Sequence, residues 1–127
     1  MWAARGRVKA PGRGPLDIAH GIPTFIGDDI EGLRDAARAN LALFTTFPFY
    51  QRMFRASGFA EEAAKAEEGA GGASLSDRML DAVCLIGPIS RCHEQLAAFR
   101  AAGVDLPILS PAIGIDGARE VIRAFRR

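Results

Sequence analysis

A strand–helix–strand pattern over residues 82–111 constrains the fold of this chain more than any other feature. It begins with an apolar run, residues 83–86, that is too short for a helix, and it ends with a second run, residues 106–109. Between the runs an apolar residue recurs every three or four positions, which predicts a buried helical stripe of Ile89, Cys92, Leu96 and Phe99. The other side of this helix reads as a solvated face of Arg91, Glu94, Gln95 and Arg100, and Gly103 is expected to end the helix in a left-handed conformation. Strands joined by a helix are parallel, and we expect these two to be neighbours. Neither run alternates with polar residues, so both faces of the sheet should be covered by helices.

A second strand and helix precede this pattern. Residues 17–26 read as a strand, although Gly21 and Pro23 weaken it because proline cannot donate to a sheet ladder. Asp28 and Asp29 then supply a helix cap, and the following helix carries a stripe of Leu33, Ala36, Ala37, Leu41 and Phe44. The repeated strand–helix order predicts the α/β class with about three parallel strands.

The region between the two units reads as mainly helical. Residues 48–58 and 60–68 predict two short helices, and the glycine-rich residues 69–73 predict a flexible spacer. Ser76 is expected to cap one further turn over residues 77–81, and a last helix is expected over residues 118–125.

Composition excludes several classes of protein. A length of 127 residues suits one domain, and a net charge of +1 gives no general argument for nucleic acid or acidic membranes. The basic clusters at both ends of the sequence read as solvated tails. No apolar run is long enough to span a bilayer, and Cys84 and Cys92 read as core residues of a reducing compartment. We therefore expect a cytoplasmic protein.

Two stretches resemble a known family, the luciferase-like flavin-dependent oxidoreductases. They are GRGPLDIAHGIPTFIGDDIEGLRDAARANLALF and DAVCLIGPISRCHEQLAAFRAAGVDLPILSP, and the resemblance extends over residues 12–125. The family is built as a parallel (β/α) barrel, which typically needs about 250 residues to close. The resemblance therefore implies a partial TIM-type barrel: residues 1–15 as a disordered lead-in, then the C-terminal βα units of the barrel over residues 16–127 with a helical insertion at about 45–82.

The resemblance also implies a cofactor, reduced FMN or the 8-hydroxy-5-deazaflavin coenzyme, and a small-molecule substrate. An aromatic and thioether patch is expected near the carboxyl-terminal mouth of the barrel, where it would form a wall for the cofactor ring or a hydrophobic substrate: Phe49, Tyr50, Met53 and Phe54. The alternative is that these residues form the apolar stripe by which their own helix packs. The residues that carry out catalysis are not identified by the pattern.

Three further residues are candidates for binding phosphate. Gly87, Ser110 and Gly114 are expected just after strands, and barrels often bind phosphate in such loops at a helix N-terminus. Turn chemistry explains the same three residues without a ligand.

The remaining polar residues indicate structure rather than chemistry. His20 and His93 lie in no metal-binding spacing, so no metal site is expected. The acidic residues of the predicted helix 60–68 read as a solvated face: Glu61, Glu62, Glu67 and Glu68.

Three functions fit the sequence. The first is a luciferase-like monooxygenase-type oxidoreductase, in which this chain forms barrel wall and substrate mouth. The second is a truncated product or assembly subunit without catalysis, and the third is a small-molecule binding module without chemistry. Three parallel strands leave two open edges and an uncovered apolar face, which predicts a homo-oligomer or a partner that completes the barrel.

Overall fold

Three parallel strands form one open sheet in the computed structural model, which describes residues 17–111 and 114–126. The strands are β1 (Ala19–Ile26), β2 (Leu85–Gly87) and β3 (Leu106–Pro111). The sheet order is β2-β1-β3, with Thr24 opposite Leu85 on one side of β1 and Ala19 opposite Leu106 on the other. The α/β class with three parallel strands is confirmed, and it is consistent with part of a TIM-type barrel.

The expectation that β2 and β3 are adjacent strands is wrong. Both strands pair with β1, which lies between them, whereas consecutive strands of a closed barrel follow chain order around the barrel. The physical reason is that the neighbour of an apolar run is set by long-range packing, which the local pattern of residues 83–86 and 106–109 does not contain. Residues 19–24 of β1 pair with β3 on one side, and residues 24–26 pair with β2 on the other.

Six α-helices within the described residues surround this sheet. They are α1 (Ile30–Leu41), α2 (Pro48–Ala56), α3 (Ala60–Glu67), α4 (Asp77–Val83), α5 (Ile89–Ala101) and α6 (Gly114–Phe125). Two short 3₁₀ helices, Ala42–Thr46 and Gly71–Ser74, complete the chain between β1 and β2. The segment predicted as a disordered lead-in lies outside the described residues.

The helix starts follow the predicted capping chemistry. Asp29 Oδ1 accepts a hydrogen bond from Gly32 N–H at 3.1 Å, and Ser76 Oγ accepts one from Met79 N–H at 3.2 Å. Each oxygen satisfies an N–H that has no partner within its helix. After α5, Gly103 adopts a φ of 109°, as the predicted helix end requires.

Two local predictions are wrong. Val83 was expected to begin a strand but is the last residue of α4, so β2 keeps only three residues. The spacer predicted as flexible instead forms the second 3₁₀ helix, and Ser74 at its end is buried. A side chain at Gly72 would lie 2.6 Å from the Arg38 carbonyl oxygen, so close packing on α1 explains why small residues occur there.

The sheet separates two apolar clusters. Phe25 and Ile86 belong to the larger cluster, which contains residues of α1 to α4, while Ile22 and Leu85 belong to the cluster under α5 and α6. Neighbouring residues of a strand point to opposite faces, so β1 and β2 contribute to both clusters. Cys92 is fully buried in the second cluster, as its helical spacing predicted.

Coverage of the sheet is incomplete. Leu106 and Ile108 of β3 are 57% and 52% exposed, so the prediction that both faces are covered is wrong for this strand. Ile89 was expected in the buried stripe of α5 but is 45% exposed, because it lies in the first turn of the helix. The amino-terminal half of β1, with Gly21 exposed, lies beside the same open region.

Candidate functional site

A groove of about 580 Å³ lies beside residues 19–23 of β1, which pair with β3 but have no described strand partner on the side of β2; we call these residues the unpaired half of β1. The β1–β2 ladder contains only the pairs formed by Thr24, Phe25 and Ile26, because α4 continues to Val83 and β2 begins at Leu85. On the β2 side, residues 19–23 of β1 therefore have no strand partner in the described structure. The end of α4, the second half of α5 and helix α2 surround the resulting gap.

The walls of the groove are mainly aromatic and aliphatic. Tyr50 occupies the centre of an aromatic cluster on α2 and the preceding 3₁₀ helix. The ring centroid of Tyr50 lies 5.1 Å from that of Phe44, 5.3 Å from that of Phe49 and 6.4 Å from that of Phe54. The volume is within the range of small-molecule sites, which are typically about 300–1,000 Å³ and apolar with few polar groups.

All four residues of the predicted aromatic patch line this groove. Phe54 is 6% exposed and belongs to the larger apolar cluster, so packing accounts for it. Phe49 and Met53 are 62% and 38% exposed, and Tyr50 is half-buried between them. Packing of the α2 stripe thus explains Phe54, while Phe49 and Met53 present apolar surface that no described residue covers.

The position of the groove differs from the expected carboxyl-terminal mouth. His20, Gly21 and Pro23 come from the first part of β1, and Val83 lies two residues before the start of β2. Phe99, which also lines the groove, lies near the end of α5, and that helix returns the chain from the end of β2 to the start of β3. The groove therefore lies toward the amino-terminal ends of the strands.

One amide side chain connects the groove to the sheet. Gln95 Oε1 accepts a hydrogen bond from Ile86 N–H at 3.0 Å. This bond fixes the orientation of the carboxamide, because only its oxygen can accept from a backbone N–H. The amide nitrogen of Gln95 then has no partner among the described residues and remains available in a groove that Gln95 lines.

The titratable groups of the groove carry little unbalanced charge. Burial lowers the pKa of His20, whose ring lies 5.8 Å from that of Phe99, and thus favours its neutral form. Asp81 Oδ2 accepts from Arg34 Nη2 at 2.8 Å and from Arg91 Nη2 at 3.2 Å, and Asp81 Oδ1 is buried without a partner in the described structure. No lysine or arginine belongs to the described lining of the groove.

The three predicted phosphate residues do not come together. Gly87 is the last residue of β2, and its carbonyl already accepts from Gly27 N–H at 3.0 Å and from the Cys92 thiol at 3.4 Å. Ser110 lies within β3, opposite Pro23, so β1 separates it from Gly87. Gly114 begins α6. The residues therefore do not form one loop cluster in the sheet order that the chain adopts.

A smaller concavity of about 200 Å³ lies at the carboxyl-terminal end of β1. Thr24 and Ile26 of β1 line it together with Asp116, Gly117 and Glu120 of α6. Two carboxylates oppose the binding of an anion, so this concavity does not provide a phosphate site either.

The remaining candidates are structural. The described residues contain no group of three His, Cys, Asp or Glu side chains that could hold a metal ion. His93 packs on Phe125 with a centroid distance of 4.6 Å, and its Nε2 lies 3.0 Å from the Ala124 carbonyl oxygen. Cys84 and Cys92 are buried free thiols, as predicted for core residues.

The prediction of a fully solvated acidic face on α3 is wrong for one residue. Glu62 is 7% exposed, and its Oε1 accepts from Ser76 Oγ at 2.5 Å and lies 3.6 Å from Arg78. Burial acts to raise the pKa of Glu62, but the hydrogen bond from Ser76 and the nearby positive charges lower it overall. Glu62 thus links α3 to the N-terminal cap of α4. Other residues of α4 form part of the groove wall.

Sequence reasoning missed several groove residues, among them Gly21 and Gln95. Gln95 was assigned to the solvated side of α5, and Gly21 was treated as a weakness of its strand. The pattern Gly21-Ile22-Pro23 held a usable signal, because a glycine and a proline two positions apart on one side of a strand indicate an edge without a paired neighbour.

Comparison with known proteins identifies the family. None of the helices in the described residues combines the length and the apolar character of a membrane-spanning helix. No match to the chain was found among curated proteins or among solved structures. A family model described as luciferase-like monooxygenase matches residues 1–106, from the start of the sequence through α5 to the first residue of β3. The match covers far more than half of the sequence, and the chain therefore belongs to the luciferase-like monooxygenase family.

Proposed function

We propose that this protein acts in oxidoreductase chemistry of the luciferase-like kind by holding the ring of a reduced flavin or deazaflavin in the groove beside β1. The observation that carries the proposal is the half-open aromatic wall, in which Tyr50 packs against Phe44 and Phe49 while Phe49 and Met53 remain exposed. Exposed aromatic rings at the edge of a concave apolar site suit the stacking of a flat heteroaromatic ligand.

The residues of the groove fit the ring of such a cofactor and do not fit its phosphate. The volume and the apolar lining suit a planar tricyclic ring. A phosphate group requires arginine, lysine or a helix N-terminus, and the described lining offers instead the carboxylate of Asp81. When bound, the reduced ring supplies the hydride or oxygen chemistry, while the side chains of this chain position the ring and exclude water from one of its faces.

Titration tests this proposal directly. FMN, riboflavin and the deazaflavin coenzyme are each titrated with the full chain, and ligand fluorescence is followed. We expect quenching that saturates, with an affinity several-fold weaker in Phe49→Ala. Ile122→Ala on α6 is the matched control, because Ile122 is an equally exposed apolar residue away from the groove. The absence of quenching for all three ligands contradicts the proposal, and turnover in the mixture distinguishes an enzyme from a binding module.

A second candidate function is that of an assembly subunit. Apolar side chains of β3 and α6 are 52–70% exposed: Leu106, Ile108, Ile115 and Ile122. Uncovered apolar surface of this kind is typical of an interface with another copy or with a partner protein. Sedimentation at micromolar concentration tests this candidate, and a monomer whose behaviour is unchanged by Ile108→Glu contradicts it.

A further inference from the structure

Helix α6 presents an apolar stripe that no described residue covers. Ile115 and Ile122 are 70% and 66% exposed, whereas Val121 of the same helix is buried. The two isoleucines are seven residues apart, which is about two turns, so their side chains lie on one side of the helix. A helix that buries one face in its own protein and carries this apolar spacing on another is suited to packing against a second helix.

Charged residues flank this stripe with opposite signs toward its two ends. Asp116 lies in the first turn of α6 and Arg123 in the last, and they are also seven residues apart. Arg119 and Glu120 lie between them, and all four residues are exposed. Arg119 Nη1 lies 3.3 Å from Asp116 Oδ1 within the helix. Glu120 and Arg123 have no ion-pair partner among the described residues, so an acid and a base remain available for a contact with another molecule.

This order of residues makes the exposed face complementary to itself when two helices run antiparallel. About a two-fold axis that relates two copies of α6, Ile115 of each copy lies opposite Ile122 of the other. The same register, within one position, brings opposite charges together: Asp116 with Arg123 and Arg119 with Glu120, each pair formed twice. In a parallel arrangement each residue would lie opposite its own counterpart, so like charges would meet.

Charge distinguishes this face from the exposed part of β3. Leu106 and Ile108 are 57% and 52% exposed, but the sequence of β3, LPILSP, contains no charged residue. Apolar contact is non-directional, whereas opposite charges across an interface fix its register and orientation. The exposed face of α6 therefore specifies a partner, and the partner that it specifies is a second copy of itself.

We infer that this chain forms a symmetric homodimer in which the exposed stripes of two α6 helices pack antiparallel. This inference rests on the second candidate function and deepens it, because it names both the partner and the surface. The helix has 12 residues and is about 18 Å long, so the contact is smaller than a standard interface of about 1,600 Å². A contact of this size gives a dimer that dissociates reversibly in the micromolar range.

Charge reversal tests the antiparallel register. In a dimer of Asp116→Arg two arginines face each other at both ends of the contact, and in a dimer of Arg123→Asp two aspartates do. Sedimentation velocity of the full chain from about 1 to about 300 µM should show a dissociation constant at least about tenfold weaker for each variant alone. An equimolar mixture should recover the parent value within about threefold, because the two substituted positions then face each other with opposite charges.

The mixture also separates a lost contact from a damaged fold, because it contains the same two variants that dissociate when each is alone. A further variant, Ile122→Glu, should remain monomeric over the whole concentration range, since it places a carboxylate in the apolar stripe. Leu43→Glu is the matched control, because Leu43 is 64% exposed and lies on the first 3₁₀ helix. It should dimerise like the parent chain.

The outcomes differ in what they overturn. A parent chain that is monomeric at every concentration overturns the inference. Association that survives Ile122→Glu, or a mixture that does not recover, overturns the inference but leaves the second candidate function standing through another face, which Ile108→Glu then tests. The described lining of the groove contains no residue of α6, so none of these results decides whether the groove binds a flavin or deazaflavin.

Discussion

Gln95 Oε1 accepts a hydrogen bond from Ile86 N–H at 3.0 Å, on the edge of β2 that faces away from β1. This bond occupies a donor that another strand would need. The opposite edge of the sheet, on β3, is protected differently. Leu106 bonds inward to Ile18, so the outward positions of β3 are Pro107, Leu109 and Pro111, and two of these three lack an N–H. Both outer edges therefore resist the addition of another strand, while residues 19–23 of β1 keep an unpaired edge beside the groove. Association with a second copy would use the exposed side chains of β3 and α6 rather than strand pairing.

The bond between Gln95 and Ile86 should contribute measurably to stability. Ile86 is fully buried, so Gln95→Leu leaves its N–H without a partner and should lower the free energy of unfolding by about 1–3 kcal/mol. Gln95→Glu keeps the acceptor and should lose much less. Urea denaturation of the two variants measures the difference, and equal stabilities would mean that the edge of β2 does not depend on this bond.

Substitution by alanine should destabilise the protein at Gly87 but not at Gly21. The φ of Gly87 is 122°, a conformation that side chains rarely adopt, and a Cβ there would lie 2.7 Å from Arg91 Cδ. We expect Gly87→Ala to cost about 1–3 kcal/mol. Gly21→Ala places its methyl group in open space and should change stability by less than about 1 kcal/mol. Thermal unfolding of the pair measures both, and a neutral Gly87→Ala would show that the turn can relax.

Two aromatic residues of α2, Phe49 and Phe54, should differ in how much they contribute to the stability of the fold. Phe54 is buried in the larger cluster, so Phe54→Ala should cost about 3–5 kcal/mol. Phe49 is 62% exposed, so Phe49→Ala should change stability by about 0.5 kcal/mol or less. Chemical denaturation measures both variants. A large loss of stability in Phe49→Ala would mean that this ring belongs to the core and is not a surface for a ligand.

The two thiols should make stability depend on alkaline pH. Burial raises the pKa of Cys84 to about 12, with a smaller contribution from the charge of Asp81, and burial raises that of Cys92 to about 11. The contribution of the two protonated thiols to the free energy of unfolding is complete below the ordinary thiol pKa of about 9. It is lost as the pH rises toward their pKa values in the folded protein, at about 1.4 kcal/mol per pH unit for each thiol.

A comparison of variants isolates the thiol contribution from that of other groups. Urea midpoints of the parent chain and of Cys84→Ala/Cys92→Ala are measured from pH 8 to pH 10.5. The stability advantage of the parent chain over the variant should decrease steadily above pH 9. An advantage that stays constant over this range would contradict the raised pKa values.

The sequence predicted the elements of this fold better than their arrangement. Helix caps at Asp29 and Ser76, the end of α5 at Gly103 and the burial of Cys92 follow from local chemistry and spacing, and the structure confirms them. The strand order does not follow from local patterns, because residues 106–109 read the same whether they pair with β2 or with the far edge of β1. The groove depends on that order and on the extra residues of α4.

The candidate site was likewise found only in part. Spacing identified the patch of Phe49, Tyr50, Met53 and Phe54, all of which line the groove, but it could not separate the buried Phe54 from the exposed Phe49. Gln95 reads as a surface residue in any helical pattern, since its role depends on where β2 begins. Glu62 shows the same limit, because its burial depends on the packing of α3 against Ser76.

The central claim is that the ligand site lies beside the unpaired half of β1 and not at the carboxyl-terminal ends of the strands. Amide chemical shifts of isotopically labelled protein during titration with lumiflavin test it most directly. The account predicts the largest shifts at the backbone N–H of Gly21, the side-chain amide of Gln95 and the backbone N–H of Tyr50. Shifts concentrated at Gly87, Gly114 and Gly117, with Gly21 and Gln95 unchanged, would contradict it.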